Sequence, residues 1–329
     1  MAIIGNLNPT LVDVAKATDS EGRILGIVEL LHQQNEMLTD MGWVEANGTT
    51  SHRTTVRTGL PTAIWRKLYQ GVPTSKSTRA QVTDTVAMLE TRSEIDKALA
   101  DLNGNTAAFR LQEAQGFIEA MNQTMMQTVL YGNDVTAPEK FMGLSPRYSS
   151  LSAPNARNII DAGGTQSDNT SIWLVVWGPN TVHGIYPKGL PSGLQHEDLG
   201  VGDAFDENKN RYRAYMDHWV WNCGLCLRDW RYVVRIANVD ASNLDTGTGA
   251  ADLVKLMIKA LHLLPSKGMG RAAFYANGHA MTSLDLQTQD KAANTIMTGN
   301  DVFGQPALMC RGVPIRRVDA ILNTESRVV

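Results

Sequence analysis

Cys223 and Cys226, in the run WNCGLCL, are by type the residues best suited to chemistry. A C-x-x-C pair forms a redox couple or half of a zinc site. Zinc needs four ligands, and only Cys310 and scattered histidines such as His218 remain to complete the set. A redox pair needs its first cysteine at a helix start, whereas Trp219-Val220-Trp221 leads into a short, turn-like apolar run. The pair therefore reads as buried small-residue packing. Gly268-Met-Gly270-Arg-Ala-Ala273 fits the dinucleotide pattern G-x-G-x-x-A, but that fingerprint follows a strand and opens a helix. Here a helix precedes and a strand follows, so the run is a connector. Gly200-Val-Gly202 lies among acidic residues, which repel phosphate. His196-Glu197-Asp198 offers cation ligands but reads as a solvated loop. The seven histidines, His32, His52, His183, His196, His218, His262 and His279, show neither triad nor paired metal-ligand spacing. No catalytic residue, metal site or cofactor is expected, and the chain is not read as an enzyme.

Charge is the unusual feature that remains. Residues 51–81, SHRTTVRTGLPTAIWRKLYQGVPTSKSTRAQ, carry Arg53, Arg57, Arg66, Lys67, Lys76 and Arg79, and no Asp or Glu lies between Glu45 and Asp84. The chain holds 30 Lys+Arg and 33 Asp+Glu; without these six cations the remainder is at −9, while the segment is at +6. A dedicated nucleic-acid binder carries a basic domain, not a basic finger on an acidic body. Six cations do provide a salt-dependent grip on phosphates, but no groove-reading element stands behind them. Four of the seven tryptophans lie between Trp173 and Trp221, where cations are sparse, so they read as core or subunit interface and not as a base-stacking platform. On the residues alone, three readings of the basic segment stand. It is a solvated loop, a nucleic-acid contact, or an arm reaching onto another copy of the chain, with Ile64, Trp65, Leu68 and Tyr69 as its apolar tip. Charge separation of this kind suits the arm best.

The elements that must position these residues follow from pattern. The composition, 43% hydrophobic and 19% charged over 329 residues, is that of a soluble globular protein with a substantial core. No apolar run is long enough to span a membrane. The start, MAIIGNLNPTLVDVAKATDS, lacks the pattern of a secretion signal, and three cysteines fit a reducing compartment. Asn8-Pro9 starts one helix, and a second is expected over Ile24–Leu38. Asn47-Gly48 signals a hairpin turn between Trp43–Ala46 and Thr49–Arg57. Residues 43–89 read as a long two-stranded excursion, which is barely stable alone and needs a partner. Ser93 is expected to cap a helix. A helix over Ala107–Tyr131, about 37 Å long, carries Ala114, Phe117, Ile118, Met121, Met125 and Val129 on one stripe, with Gly116 marking close packing. Strands are expected at Ser171–Trp177, Thr181–Tyr186, Trp230–Ala237 and Arg271–Tyr275, and an acidic loop over Pro187–Asn210. Helices are expected at Ala250–Leu264 and from Asn277 to Leu286. A strand, a Gly312 turn and a strand close the chain. The class is α+β.

This order resembles the major capsid proteins of tailed bacteriophages, the HK97-type fold in its podovirus-like group. The segments TGLPTAIWRKLYQGVPTSKSTRAQVTDT, DKALADLNGNTAAFRLQEAQ, YGND followed by PEKFMGLSPR, SIWLVVWGPNTVHGIYPKG and the closing FGQPALMCRGVPIRRVDAILNTE carry the resemblance over nearly the whole chain. It implies an N-terminal helical arm (1–42), a β-hairpin E-loop (43–90) and a peripheral domain (91–151 and 301–329) with its spine helix over 107–131. The axial domain would span 152–300. The implied function is structural: hexamers and pentamers that self-assemble into an icosahedral phage head around double-stranded DNA. The E-loop residues Arg53, Arg57, Ile64, Trp65, Arg66, Lys67, Lys76 and Arg79 would contact a neighbouring subunit. The implied partners are other copies of the chain, a separate scaffolding protein, a portal, a decoration protein, and packaged DNA held without sequence preference. Only about forty residues precede the E-loop, which leaves no room for a built-in scaffolding region and is why a separate scaffold is expected. The implied location is the virion, assembled in the host cytoplasm. Some family members cross-link a Lys to an Asn covalently; nothing near Lys67 or Lys76 supports that chemistry, so a non-covalent shell is expected.

Overall fold

The structure, a computed structural model, describes residues 32–102, 104–206, 208–244, 251–290, 296–300 and 306–329. In chain order these form helix α1 (Met37–Asp40) and strands β1 (Trp43–Glu45), β2 (Ser51–Gly59) and β3 (Thr78–Asp96). Helices α2 (Lys97–Ala100), α3 (Thr106–Tyr131) and α4 (Leu144–Arg147) follow. Next come strands β4 (Ile159–Asp161), β5 (Asn169–Trp177), β6 (Val182–Tyr186), β7 (Gln195–Phe205), β8 (Arg211–Leu227) and β9 (Val233–Asp240). The chain closes with α5 (Leu253–Leu263), β10 (Arg271–Ala276), α6 (Gly278–Asp290), β11 (Ile296–Asn300), β12 (Pro306–Cys310) and β13 (Val313–Arg317). This is the α+β class expected from the pattern.

The described strands join in one branched sheet whose main path runs β11-β12-β13-β10-β5-β6-β8-β3-β2. Its middle is explained by β5, in which every residue is buried. A strand apolar on both sides needs cover on both faces. Trp173, Val175 and Trp177 point into one core with Met125, Met126, Val129 and Leu130 of α3. Ile172, Leu174 and Val176 point into the other, with Leu253, Met257 and Leu261 of α5 and Ala280 and Leu284 of α6. Each such side chain contributes about 1.5–3 kcal/mol by leaving water. The closing hairpin turns through Arg311 and Gly312, whose φ angles of 49° and 81° are both positive, as a two-residue turn between twisted strands requires.

Several expectations are corrected. Residues 32–36 are not helical; Asn35 makes an isolated bridge to Val318 instead, and only Met37–Asp40 turns. The helix at Asn8-Pro9 and the rest of the one expected over Ile24–Leu38 lie outside the described residues. Asn47-Gly48 does not join two paired strands. β1 runs parallel to β6, and the Asn47 side chain both donates to the Arg53 carbonyl and accepts from its amide, so a side chain stands in for strand pairing. Ser93 lies within β3; the ladder to β8 outcompetes the cap, and Asp96 caps α2 instead by accepting from the Ala98 amide. Gly116 faces open space, and Ile118 is exposed; the main core covers the C-terminal half of α3, while near its start Phe109 packs with Ile95 and Ala100. The acidic stretch is not all loop: β7 pairs along β8, where alternation is hidden because the strand is exposed on most positions. The strand expected from Trp230 begins only at Val233, after a single turn of 3-10 helix.

One buried charge ties the C-terminal segment to the middle of the sheet. The Arg235 guanidinium donates to the Ser171 hydroxyl at 3.0 Å, the Tyr148 carbonyl at 2.8 Å and the Glu325 carboxylate at 2.9 Å, and lies over the Trp173 ring. Glu325 also accepts from Ser171 and from the Tyr131 hydroxyl. Burial, reinforced by this carboxylate, pushes the Tyr131 pKa far above its ordinary value and keeps the hydroxyl a donor. Replacing one partner strands the other charge in the core. Arg235→Met should destabilise the chain by about 3–5 kcal/mol, read as a lower urea midpoint, and Arg235→Met combined with Glu325→Gln should recover much of that loss.

Candidate functional site

The arm is built by β2 and β3. They pair antiparallel from Ser51↔Thr85 to Gly59↔Thr78, and β3 then continues for eleven residues against β8, from Val86↔Gly224 to Asp96↔Ala214. β-branched residues fill the hairpin, as a pleated ribbon favours. Beyond it, residues 60–77 leave the sheet in irregular, exposed conformation, held by few local bonds such as Ser75 Oγ to the Thr62 carbonyl.

The expected contact residues all lie on this projection. Arg53, Arg57, Arg66, Lys67, Lys76 and Arg79 are exposed, and none has a carboxylate partner among the described residues. Arg57 and Arg79 stand directly opposite each other across the ribbon. Like charges so placed repel, and nothing within the described chain offsets them. In the irregular segment Trp65 and Tyr69 are fully exposed (101% and 105%) and Leu68 is 84% exposed, and Leu60, Ile64 and Val72 are exposed as well. An apolar cluster of this kind marks an interaction surface. The structure thus places Ile64, Trp65, Arg66, Lys67 and Lys76 in the irregular segment beyond the ribbon and leaves Arg53, Arg57 and Arg79 along its paired stem.

The arm root is held differently. Arg147 of α4 donates at 2.8 Å to Asp84, which is 3% exposed, and also to the carbonyls of Met142 and Leu225. Thr85 donates to the Asp134 carboxylate at 3.3 Å. Beside this ion pair sit His52, His183 and Cys226, whose ligand atoms lie within 4.8 Å of one another. Burial lowers the His183 pKa below the usual histidine range and holds the ring neutral. Burial, with Asp84 adding to it, pushes the Cys226 thiol well above the usual range. Pattern reading missed this group because its members come from separate strands; no local spacing signals it.

The other candidates fall into structural roles. Cys223 and Cys226 lie in strand β8, not a turn, and an odd separation along a strand sends them to opposite faces. Cys223 packs against Met125, while Cys226 joins the root cluster. Gly268–Gly270 forms the connector between α5 and β10, as expected. His196 and Asp198 lie on β7 and help dock the start of α3: Arg110 donates at 2.8 Å to both Asp198 and Asp217, and His196 pairs with Asp217 at 2.9 Å while stacking on Trp219.

Over residues 19–329 the sequence matches the family of major capsid protein GP7. A chain in the solved structure of bacteriophage Epsilon15 is 38% identical, with a TM-score of 0.79, the similarity covering 100% of this chain and 99% of that one. Looser likeness extends to the SrpI encapsulin complex of Synechococcus elongatus, at 12% identity and a TM-score of 0.45 over 70% of this chain and 96% of that one. It extends also to the capsid of an empty GTA particle, at 10% identity and 0.42 over 65% and 92%. No curated protein matches the sequence.

Exposed irregular backbone is where proteases cut first. Among the described residues, limited trypsin treatment of the unassembled chain should cleave first after Arg66, Lys67 or Lys76, as read by mass spectrometry of the earliest fragments. First cuts within the sheet or α3 would contradict the placement of this segment.

Proposed function

The chain belongs to the major capsid protein GP7 family, and from that premise we propose that its projecting arm is the E-loop that clamps a neighbouring subunit in hexamers and pentamers of an icosahedral phage head. The chain is a structural, capsid-forming protein of the HK97-type fold. The observation that carries the clamp is the tip itself: apolar side chains fully in water, flanked by cations with no carboxylate partner among the described residues. A thin ribbon exposing this much apolar surface gains by docking, and the acidic remainder of a second copy supplies the countercharge. In this reading Trp65, Leu68 and Tyr69 enter an apolar surface on the neighbour. Arg53, Arg57, Arg66, Lys67, Lys76 and Arg79 face its carboxylates.

The domain division follows the same proposal. Residues 1–42 form the N-terminal arm, 43–90 the E-loop, 91–151 with 301–329 the peripheral domain around the 107–131 spine, and 152–300 the axial domain. Assembly proceeds in the host cytoplasm on a separate scaffolding protein, with a portal and a decoration protein as further partners. The finished shell encloses double-stranded DNA held by non-specific contact.

The double substitution Arg66→Glu/Lys67→Glu tests the clamp. Because both side chains are solvated in the free chain, its stability should stay within about 0.5 kcal/mol of the parent. Each arm contact should lose about 2 kcal/mol or more, and electron microscopy should show no closed shells. Normal particles from the variant would refute the assignment. Since neither Lys67 nor Lys76 is set against a reactive partner, boiling purified particles in detergent should release monomers; a ladder of multimers would overturn the non-covalent shell.

A further inference from the structure

Four ligand-type side chains form a row across four neighbouring strands at the arm root. His52 of β2 pairs directly with Asp84 of β3, and Cys226 of β8 pairs directly with His183 of β6. The β3–β8 ladder ends at Val86↔Gly224; continued by two residues, its register sets Asp84 opposite Cys226 and completes the row. The two imidazole rings meet above it with centroids 6.0 Å apart, edge to face.

Two groups in this row are buried without a satisfied partner. His183 is 2% exposed, and neither ring nitrogen reaches an acceptor or donor in hydrogen-bond geometry, although the Gly178 backbone lies nearby. Asp84 places one carboxylate oxygen against Arg147, while its Oδ2 has no partner in hydrogen-bond geometry and only the Cys226 thiol beside the carboxylate. An unpaired buried polar group is destabilising, so two together, converging with a thiol, require a reason.

We propose that the chain binds one zinc-class divalent ion at the root of its arm, through His52, His183 and Cys226 with Asp84 Oδ2 as the fourth ligand. The donor set of two imidazoles, one thiolate and one carboxylate is one that zinc takes in tetrahedral geometry. Ligand atoms in such a site stand about 3.5 Å apart, so His52, His183 and Cys226, whose ligand atoms lie within 4.8 Å of one another, would draw together on binding, and the Asp84 carboxylate, outside that trio, would turn toward them. On binding, the Cys226 thiol releases its proton to solvent, and the thiolate and carboxylate balance the two positive charges. Arg147 stays on the other Asp84 oxygen and fixes the carboxylate's orientation, the usual task of a group behind a metal ligand. His52 Nδ1 gives up the 3.2 Å bond it accepts from the Asn47 amide, which lies at an exposed position and passes to water. The ion would staple the hairpin (His52, Asp84) to the body (His183, Cys226), and it does so whether or not the arm grips a neighbour.

The test uses the full-length unassembled chain, stripped with chelator and titrated with Co2+ and Zn2+. Cobalt should give a thiolate-to-metal charge-transfer band saturating at one ion per chain, and zinc should displace it. Cys226→Ala should abolish the band, while Cys223→Ala, on the opposite face, should keep it. His52→Gln, at the half-exposed end of the row where folding is least at stake, should weaken affinity at least about tenfold. Circular dichroism melting of every variant separates lost binding from lost fold. A folded parent chain with no cobalt band, or a band that survives Cys226→Ala, overturns the site.

Discussion

The arm depends on one strand serving two ladders in succession. β3 pairs with β2 through Thr85 and with β8 from Val86 onward, so its backbone passes without a break from the projecting ribbon into the sheet of the body. A two-stranded hairpin is marginal in water, but one whose second strand is anchored along eleven further residues inherits the rigidity of the sheet. The handover allows little freedom. Gly224 sits at it, and a Cβ there would meet the Thr85 carbonyl oxygen at 2.5 Å, so the crossing is close enough to exclude any side chain. The backbone amide of Val86 also reaches across to the Thr50 carbonyl, closing the hairpin at the same point. The direction in which the arm leaves the body is thereby fixed by main-chain geometry, before any contact with another subunit.

Buried charge then ties together what the ladders leave separate. Asp84 and Arg147 join the arm root to α4, and Arg235 and Glu325 join the central sheet to the last residues of the chain. Asp40, 5% exposed, receives the Tyr275 hydroxyl at 2.7 Å and lies within ion-pair distance of Arg271 and Arg316. Each pair links segments distant in sequence, and each is costly if one partner is lost. Replacing such pairs with apolar groups is often neutral in stability, so their value lies in register. An apolar core tolerates sliding, whereas a buried carboxylate accepts only the position at which its cation arrives.

What could be read from the sequence follows the same division. The α3 helix was legible because an apolar stripe runs from Ala114 to Val129; the observed start, Thr106, capped by Asn105, differs by one residue from the expected one. β5 and β10 were legible as unbroken apolar runs, and Asn277 as a cap, since it accepts from the Ala280 amide. The failures arose where a partner supplies what local pattern lacks. β7 carries few apolar residues and exists because β8 offers it a ladder. Ser93 has the local chemistry of a cap, but eleven paired residues outweigh a single capping bond worth about 1 kcal/mol. The charge and apolar content of residues 51–81 were plain in the sequence. The root cluster was not, since the sequence sets Cys226 beside Cys223, while its neighbours in space are on other strands.

The cations of the arm have a second physical role. β2 ends the main path of the sheet, so its outer edge, beyond Arg53 where the Asn47 side chain pairs with the backbone, lacks a neighbouring strand among the described residues. An exposed edge invites pairing with any other strand, and charged residues are the common defence. Arg53 and Arg57 stand on that edge strand, and Arg79 opposes Arg57 across the ribbon. A second arm approaching edge to edge would bring like charges together and be rejected, whereas an acidic surface would be drawn in. The same residues therefore separate wrong association from right, without needing a strong net attraction in either case. That distinction bears on the proposed clamp. For a subunit made in many copies, discriminating against arm-to-arm pairing matters as much as the strength of the correct contact, and cations spread along the stem achieve it while the apolar tip supplies the adhesion.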